Sequence, residues 1–128
     1  MTDHRILTPM KRAKGLGGGH SGVPHWMNQR ITALANIPLV IWLIYSVMKL
    51  AGANYLEFTT WLSHPLHAGL MILLIVSIFY HATLGLQVIY EDYISCKCLK
   101  LTKIIGAKLF FIALGVACIF STLKVALS

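Results

Sequence analysis

Residues 77–93, SIFYHATLGLQVIYEDY, form an apolar segment with one ionisable side chain in its interior, His81, and it closes with Glu91, Asp92 and Tyr93. An imidazole surrounded by hydrocarbon needs a partner, because leaving its polar nitrogens unpaired costs several kcal/mol. At helical spacing, one stripe collects the residues that lie one to three turns from His81. These residues are Ser77, Gly85, Val88 and Asp92. Small residues above and below the ring leave room for a flat ligand or for another backbone.

Three kinds of chemistry are compatible with this stripe. His81 could be an axial haem ligand, with room for a porphyrin beside Ser77 and Gly85. The second ligand would then come from another subunit, because only one histidine lies deep in an apolar segment. It could instead relay protons together with Asp92, or it could be a structural histidine that is hydrogen-bonded to a neighbouring helix. The spacing by itself does not choose among the three.

The composition indicates the elements that must position this histidine. Hydrophobic residues make up 57% of the 128 residues, and the mean hydropathy is +0.73. Charged residues make up 12%, about half the fraction that is usual in soluble domains. The chain is therefore predicted to be an all-α membrane protein of one domain, too short to contain a large soluble catalytic domain as well. Its basic residues flank apolar segments, which is typical of membrane topology and not of a nucleic-acid-binding face.

Three membrane spans are predicted, over about residues 27–50, 65–90 and 104–127. They lie in a membrane-anchor domain over residues 25–128, after a basic, glycine-rich surface arm over residues 1–24. Pro38 is expected to kink the first span. Ser63, His64 and Pro65 mark the start of the second, because proline favours the first turn of a helix. The connections between the spans are expected to be a short loop and a polar loop over residues 91–103.

The distribution of basic residues predicts the orientation. Five of the eleven Lys and Arg residues lie at or before Arg30, and four more surround the loop over residues 91–103. The positive-inside rule then places the N-terminus and this loop in the cytoplasm and the C-terminus in the periplasm. In an organelle the basic side would be the matrix side. Arg30 itself could reach lipid phosphate or bind an acidic group of a cofactor.

The three cysteines, Cys96, Cys98 and Cys118, form no metal-binding pattern and are expected to be reduced thiols of undetermined role.

The stretch HATLGLQVIYEDY, residues 81–93, resembles the second-helix signature of a known family. That family is the small hydrophobic membrane anchor of succinate dehydrogenase (respiratory complex II), which is the smaller cytochrome b556 polypeptide of that complex. The N-terminal stretch TPMKRAKGLGGGHSGVPHWMNQRITALANIPL is similar to the alphaproteobacterial form, so the resemblance covers nearly the whole chain. It implies half of a two-subunit haem-binding helical bundle.

The resemblance also implies roles for individual residues. His81 would be an axial ligand of the iron of haem b, which is shared with a partner subunit, and Ser77 and Gly85 would pack against the haem. Tyr93 would donate a hydrogen bond to a carbonyl of ubiquinone. Asp92 would lie near the quinone or its proton path. Arg30, at the start of the first helix, would lie near the haem propionates and the quinone pocket.

The implied function is that of a subunit of succinate:ubiquinone oxidoreductase in the respiratory chain and tricarboxylic acid cycle, without turnover of its own. Its partners would be a second cytochrome b anchor subunit, an iron–sulfur subunit, a flavoprotein subunit, membrane lipid and ubiquinone. The membrane would be the bacterial cytoplasmic (inner) membrane or the mitochondrial inner membrane. The alternatives are a small proton-coupled transporter or assembly protein that uses His81 and Asp92, and a haem-free or menaquinol–fumarate reductase anchor. The sequence does not determine the quinone, the second haem ligand, the direction of turnover or the higher oligomeric state.

Overall fold

A computed structural model describes residues 19–128, and these residues form four helices. The helices are α1 (Gly19–Lys49), α2 (Tyr55–Ser63), α3 (Pro65–Tyr93) and α4 (Lys97–Leu127). The described residues contain no strand, so the all-α prediction is confirmed. Three segments are long and apolar enough to cross a membrane, with mean hydropathies of 1.9, 2.0 and 2.3 over their most apolar windows. They are Val23–Lys49, Pro65–Tyr93 and Lys97–Leu127.

Helix α3 is the central element of the fold. It packs against α1 on one side and α4 on the other, while the short helix α2 contacts both α3 and α4. The α3–α4 contact includes Phe79 and Phe111, whose ring centroids lie 5.9 Å apart. Few side chains are fully buried, and most large apolar residues of the three long helices remain exposed. That distribution suits helices whose outer faces meet lipid or other subunits instead of water.

The predicted start of the second span is confirmed. His64 is the N-cap of α3, its Nδ1 atom accepts a hydrogen bond from the Leu66 amide, and Pro65 occupies the first turn. The preceding helix α2 is an addition to the prediction, which expected only a loop here. It begins with a capping box, in which the Asn54 side chain accepts from the Glu57 amide and the Glu57 carboxylate accepts from the Asn54 amide. Two backbone donors are thereby satisfied at the helix start.

The long helices extend beyond the apolar segments that revealed them. Helix α1 begins at Gly19, inside the stretch expected to be an irregular arm, whose residues 1–18 lie outside the described part of the chain. Helix α3 continues to Tyr93 and α4 begins at Lys97, so the polar loop expected over residues 91–103 shrinks to three residues. A fall in hydropathy marks the point where a helix leaves the hydrocarbon, and it does not mark the end of the helix. The helix can continue into the polar region, because Lys and Glu are good helix formers.

Candidate functional site

His81 lies at the interface between α3 and α1 and is half-buried. Its Nδ1 atom is 2.9 Å from the hydroxyl oxygen of Thr32, one of the residues at the start of the first span. The contact joins two membrane-spanning helices, and it supplies the partner that an imidazole in an apolar segment requires.

Two backbone carbonyl oxygens compete with His81 for the hydroxyl proton of Thr32. Its Oγ1 atom lies 2.8 Å from the carbonyl oxygen of Asn28 and 3.1 Å from that of Gln29, both about one turn earlier in α1. A threonine hydroxyl has one proton and two lone pairs. When that proton goes to a backbone carbonyl, Thr32 accepts a hydrogen bond from the Nδ1–H group of His81. The ring then carries its proton on Nδ1, and its Nε2 lone pair remains available to a ligand.

Further polar contacts between α1 and α3 flank the histidine. The Ser77 hydroxyl donates to the side-chain carbonyl of Asn36 at 2.6 Å. On the other side of His81, the Asn28 side chain donates to the Tyr80 hydroxyl at 3.3 Å. We call these two contacts, together with the Thr32–His81 pair, the polar seam. Interhelical hydrogen bonds of this kind hold membrane helices together, since lipid removes the hydrophobic drive for helix association.

Two residues that the sequence singled out, Ser77 and Gly85, are both in contact with α1. Ser77 is paired with Asn36. A Cβ atom added at Gly85 would lie 3.5 Å from Nε2 of Gln29, which shows that this side chain packs directly over the glycine. Side chains of α1 therefore fill the space that these small residues leave. Contact of Ser77 and Gly85 with a haem stays a prediction.

Sequence reasoning did not identify Asn28, Gln29 and Asn36 as site residues. The pattern that could have revealed them is their spacing, because polar residues at 28, 29, 32 and 36 recur about once per helical turn in an otherwise apolar segment. Such a stripe predicts a polar helix–helix contact. It does not indicate which helix supplies the other half.

Arg30 lies away from His81. It is two positions from Thr32, and residues two apart on a helix do not face the same side. Its guanidinium carbon lies 5.2 Å from the centre of the Trp26 ring on the same helix, a cation–π geometry. Within the described chain, Arg30 is thus held by Trp26, and a role toward a haem propionate or a quinone stays a prediction.

Asp92 and Tyr93 end α3 and are exposed, Tyr93 to 84%. Asp92 lies eleven residues beyond His81, a rise of about 16 Å along the helix, so the two side chains cannot form a direct pair. Tyr93 is the next residue, about 1.5 Å further along the helix axis. The structure therefore separates a histidine site inside the membrane from an acid and a phenol at the helix end.

His64 and His67, at the end of α3 opposite to Tyr93, belong to an aromatic cluster. The His67 ring stacks on Trp61 at 4.4 Å between centroids, and its Nδ1 atom is 2.9 Å from the Trp61 carbonyl oxygen. Trp42 and His64 also contact this cluster.

Cys96 and Cys98 are exposed free thiols at the start of α4. No group of three or more metal-ligating side chains occurs within residues 19–128.

Three helices that are long and apolar enough to cross a membrane define the class of this protein, a multi-pass membrane protein. The chain belongs to the succinate dehydrogenase/fumarate reductase transmembrane subunit family, whose sequence model matches residues 4–123. The predicted family relationship is therefore confirmed.

Individual relatives agree with this assignment. The chain is 38% identical over 106 residues to the succinate dehydrogenase hydrophobic membrane anchor subunit of Rickettsia bellii, covering 83% of this chain and 85% of that protein. It is 36% identical over 107 residues to the subunit of the same description from Rickettsia conorii, with the same coverage. The corresponding subunit of Paracoccus denitrificans is 26% identical over 89 residues, covering 70% of this chain and 69% of that protein. No solved structure matches the chain significantly.

Proposed function

We propose that this membrane anchor subunit of succinate dehydrogenase ligates haem b through Nε2 of His81, jointly with a second anchor subunit, and that its α3 end contributes to a quinone site. The observation that carries the proposal is the contact between Thr32 Oγ1 and His81 Nδ1. It occupies one nitrogen of a histidine that lies deep in an apolar segment and leaves the other nitrogen without a protein partner among the described residues.

The donor set fits a haem. Haem iron accepts a neutral imidazole nitrogen. Histidines that bind metal usually donate their other ring N–H to an oxygen acceptor, which fixes the ring orientation and tautomer. Thr32 is such an acceptor. A bound haem would supply a one-electron redox centre, and the residues of this chain would hold the imidazole in place.

The second axial ligand comes from a partner subunit under this proposal. His67 lies fourteen residues before His81 on the same helix, a rise of about 21 Å, and its ring is already stacked on Trp61. A single chain therefore presents one half of the haem site. The remaining proposed partners are the iron–sulfur and flavoprotein subunits, because the family to which this chain belongs supplies the transmembrane part of the enzyme.

The quinone part of the proposal rests on the exposed end of α3. Tyr93 has a phenol that can donate to a quinone carbonyl, and the neighbouring Asp92 carboxylate can take part in proton transfer. Both side chains are exposed in the single chain, so neighbouring subunits would complete the site. Ubiquinone is the proposed substrate.

The proposed orientation places this end of α3 in the cytoplasm or the mitochondrial matrix. Three lysines lie in the first two turns of α4, close to the end of α3. With three spans, the basic residues that precede residue 19 in the sequence would be on the same side of the membrane. Basic residues next to spans are retained on the inner side. The soluble subunits would then dock on that side, within reach of Tyr93.

The test is a reduced-minus-oxidised optical spectrum of the gently solubilised complex. We expect a b-type α-band that is lost in His81→Ala and retained in His67→Ala, a control histidine on the same helix. Co-purification of three partner subunits is expected with the wild type. A band that persists in an assembled His81→Ala complex would remove His81 as ligand. A chain that purifies alone and colourless would favour the transporter alternative.

A further inference from the structure

A groove of 650 Å³ runs between α3 and α4 and is bordered at one end by the first turns of α1. Its lining changes along its length. One end is apolar and the other end is polar and basic. The apolar part includes Ile75, Val76, Ile112, Val116 and Ile119, and the polar part includes His25, Asn28, Tyr80, Gln87 and Lys108. We propose that this groove binds an anionic phospholipid, with one acyl chain along the apolar part and the phosphate at the polar end.

The length of the groove matches one lipid leaflet. From Ile75 to Gln87 the α3 wall rises about 18 Å, and half of a bilayer's hydrocarbon core is about 15 Å. The volume lies in the range of about 300–1,000 Å³ that is usual for ligand sites. The apolar end opens to the surroundings, since Val116 is 61% exposed. An acyl chain can enter there from the membrane without leaving hydrocarbon.

The charge at the polar end selects an anionic head group. Lys108 lies there, and none of the described residues that line the groove is acidic. Lysine can extend its ammonium toward the membrane surface while its methylene groups cover apolar wall. Basic pockets between membrane helices are the usual recognition sites for anionic lipid head groups.

The same end also contains one buried polar atom without a partner and two side-chain amides with a further donor. The Nε2 atom of His25 is buried and has no hydrogen-bond partner among the described residues. Asn28 uses one amide proton for the Tyr80 hydroxyl, and Gln87 uses one for Glu91. Each side-chain amide has two donors. The phosphate and ester oxygens of a phospholipid are acceptors of the kind that such donors require.

The test uses the purified complex, stripped of loosely bound lipid and titrated with phosphatidylglycerol or with phosphatidylcholine of the same acyl chains. Native mass spectrometry counts the bound lipid. We expect tighter binding of phosphatidylglycerol by the wild type. Lys108→Gln should weaken that binding about fivefold, from about 1 kcal/mol per basic residue at an anionic head group, and should leave phosphatidylcholine unchanged. Val116→Phe should weaken both lipids, because it fills the apolar part.

Two control variants match these substitutions outside the groove. Lys97→Gln removes an equal charge from the same helix, and Leu109→Phe enlarges an apolar residue of similar exposure, 62% against 61%. Neither should change lipid binding. Equal losses in Lys108→Gln and Lys97→Gln would overturn the proposal, and so would equal affinity of the wild type for both lipids.

A photo-crosslinking side chain of leucine size in place of Ile119, which lines the apolar part without being enlarged, identifies the occupant directly. A lipid-sized mass increase on this chain is expected. A crosslink to another subunit, or to added quinone in preference to phospholipid, would show that the groove has a different occupant and would overturn the proposal. Haem content and succinate oxidation are measured in parallel, since this inference is independent of the haem ligand.

Discussion

Thr32 on α1 and His81 on α3 are separated by 49 positions in the chain, yet their Oγ1 and Nδ1 atoms lie 2.9 Å apart. Thr32 Oγ1 also lies 2.8 Å from the Asn28 carbonyl oxygen of its own helix. When the hydroxyl proton goes to that carbonyl, the threonine accepts from the Nδ1–H group of His81 and holds the ring at the helix interface. This single contact connects helix packing with the chemistry that the histidine can perform.

Thr32→Val preserves the shape of the side chain and removes the acceptor. Loss of such an outer hydrogen bond typically weakens metal binding about 10–100-fold. We expect lower haem content per assembled complex and a shifted midpoint potential of the remaining haem, with both restored in Thr32→Ser. Quantitative haem analysis and an optical redox titration measure these quantities.

A matched control for this prediction is Thr83→Val. The Thr83 hydroxyl donates to the Phe79 carbonyl within α3, so loss of this hydroxyl should leave the midpoint potential of the haem unchanged. If Thr32→Ser behaved like Thr32→Val, or if Thr83→Val shifted the potential equally, the effect of Thr32 would be one of packing.

Ser77→Ala removes the hydrogen bond to Asn36 across α1 and α3. Interhelical hydrogen bonds in membrane proteins contribute on average about 0.6 kcal/mol and at most about 1.7 kcal/mol. We expect a loss in that range in the free energy of unfolding of the solubilised protein, measured by titration with a denaturing detergent. Ser121→Ala is the control, because the Ser121 hydroxyl donates to a carbonyl of its own helix. A larger loss in Ser121→Ala than in Ser77→Ala would contradict the importance of the polar seam.

Gly85→Leu should separate α1 from α3. A Cβ atom at Gly85 already lies 3.5 Å from the Gln29 side chain, an ordinary contact that Gly85→Ala should tolerate. The extra atoms of leucine have no space there and would break the neighbouring Thr32–His81 contact. We expect haem loss and a lower thermal midpoint for Gly85→Leu. At Gly69 a Cβ atom meets nothing within 4 Å, so Gly69→Leu should leave both quantities unchanged.

Tyr93→Phe tests the proposed quinone contact. Removal of the phenol hydroxyl should slow quinone reduction up to about tenfold, because one lost hydrogen bond costs about 0.5–1.5 kcal/mol. Succinate oxidation with an artificial acceptor and the haem spectrum should stay unchanged. Tyr55→Phe, at an exposed tyrosine outside the α3 end, is the control. Equal loss of both activities in Tyr93→Phe would point to assembly instead of quinone binding.

The three spans, the start of α3 at His64 and Pro65, and the family were all predictable from the sequence. Hydropathy is a local property, and a bilayer allows few backbone structures other than a helix across an apolar run. Proline and its preceding cap mark a helix start within a few residues. The motif that ends at Tyr93 occupies adjacent turns of one helix, so its spacing is also local information.

The tertiary structure decided what lies opposite each of these residues. The partner of His81 is on another helix, and no local pattern states that Thr32 meets it. The same holds for Asn36 opposite Ser77 and for the groove between α3 and α4. These contacts depend on the rotation of each helix about its axis and on its crossing with a neighbour, which packing determines after the spans have formed. The sequence thus determined which residues are in the membrane, and only the assembled helices determined which of them touch.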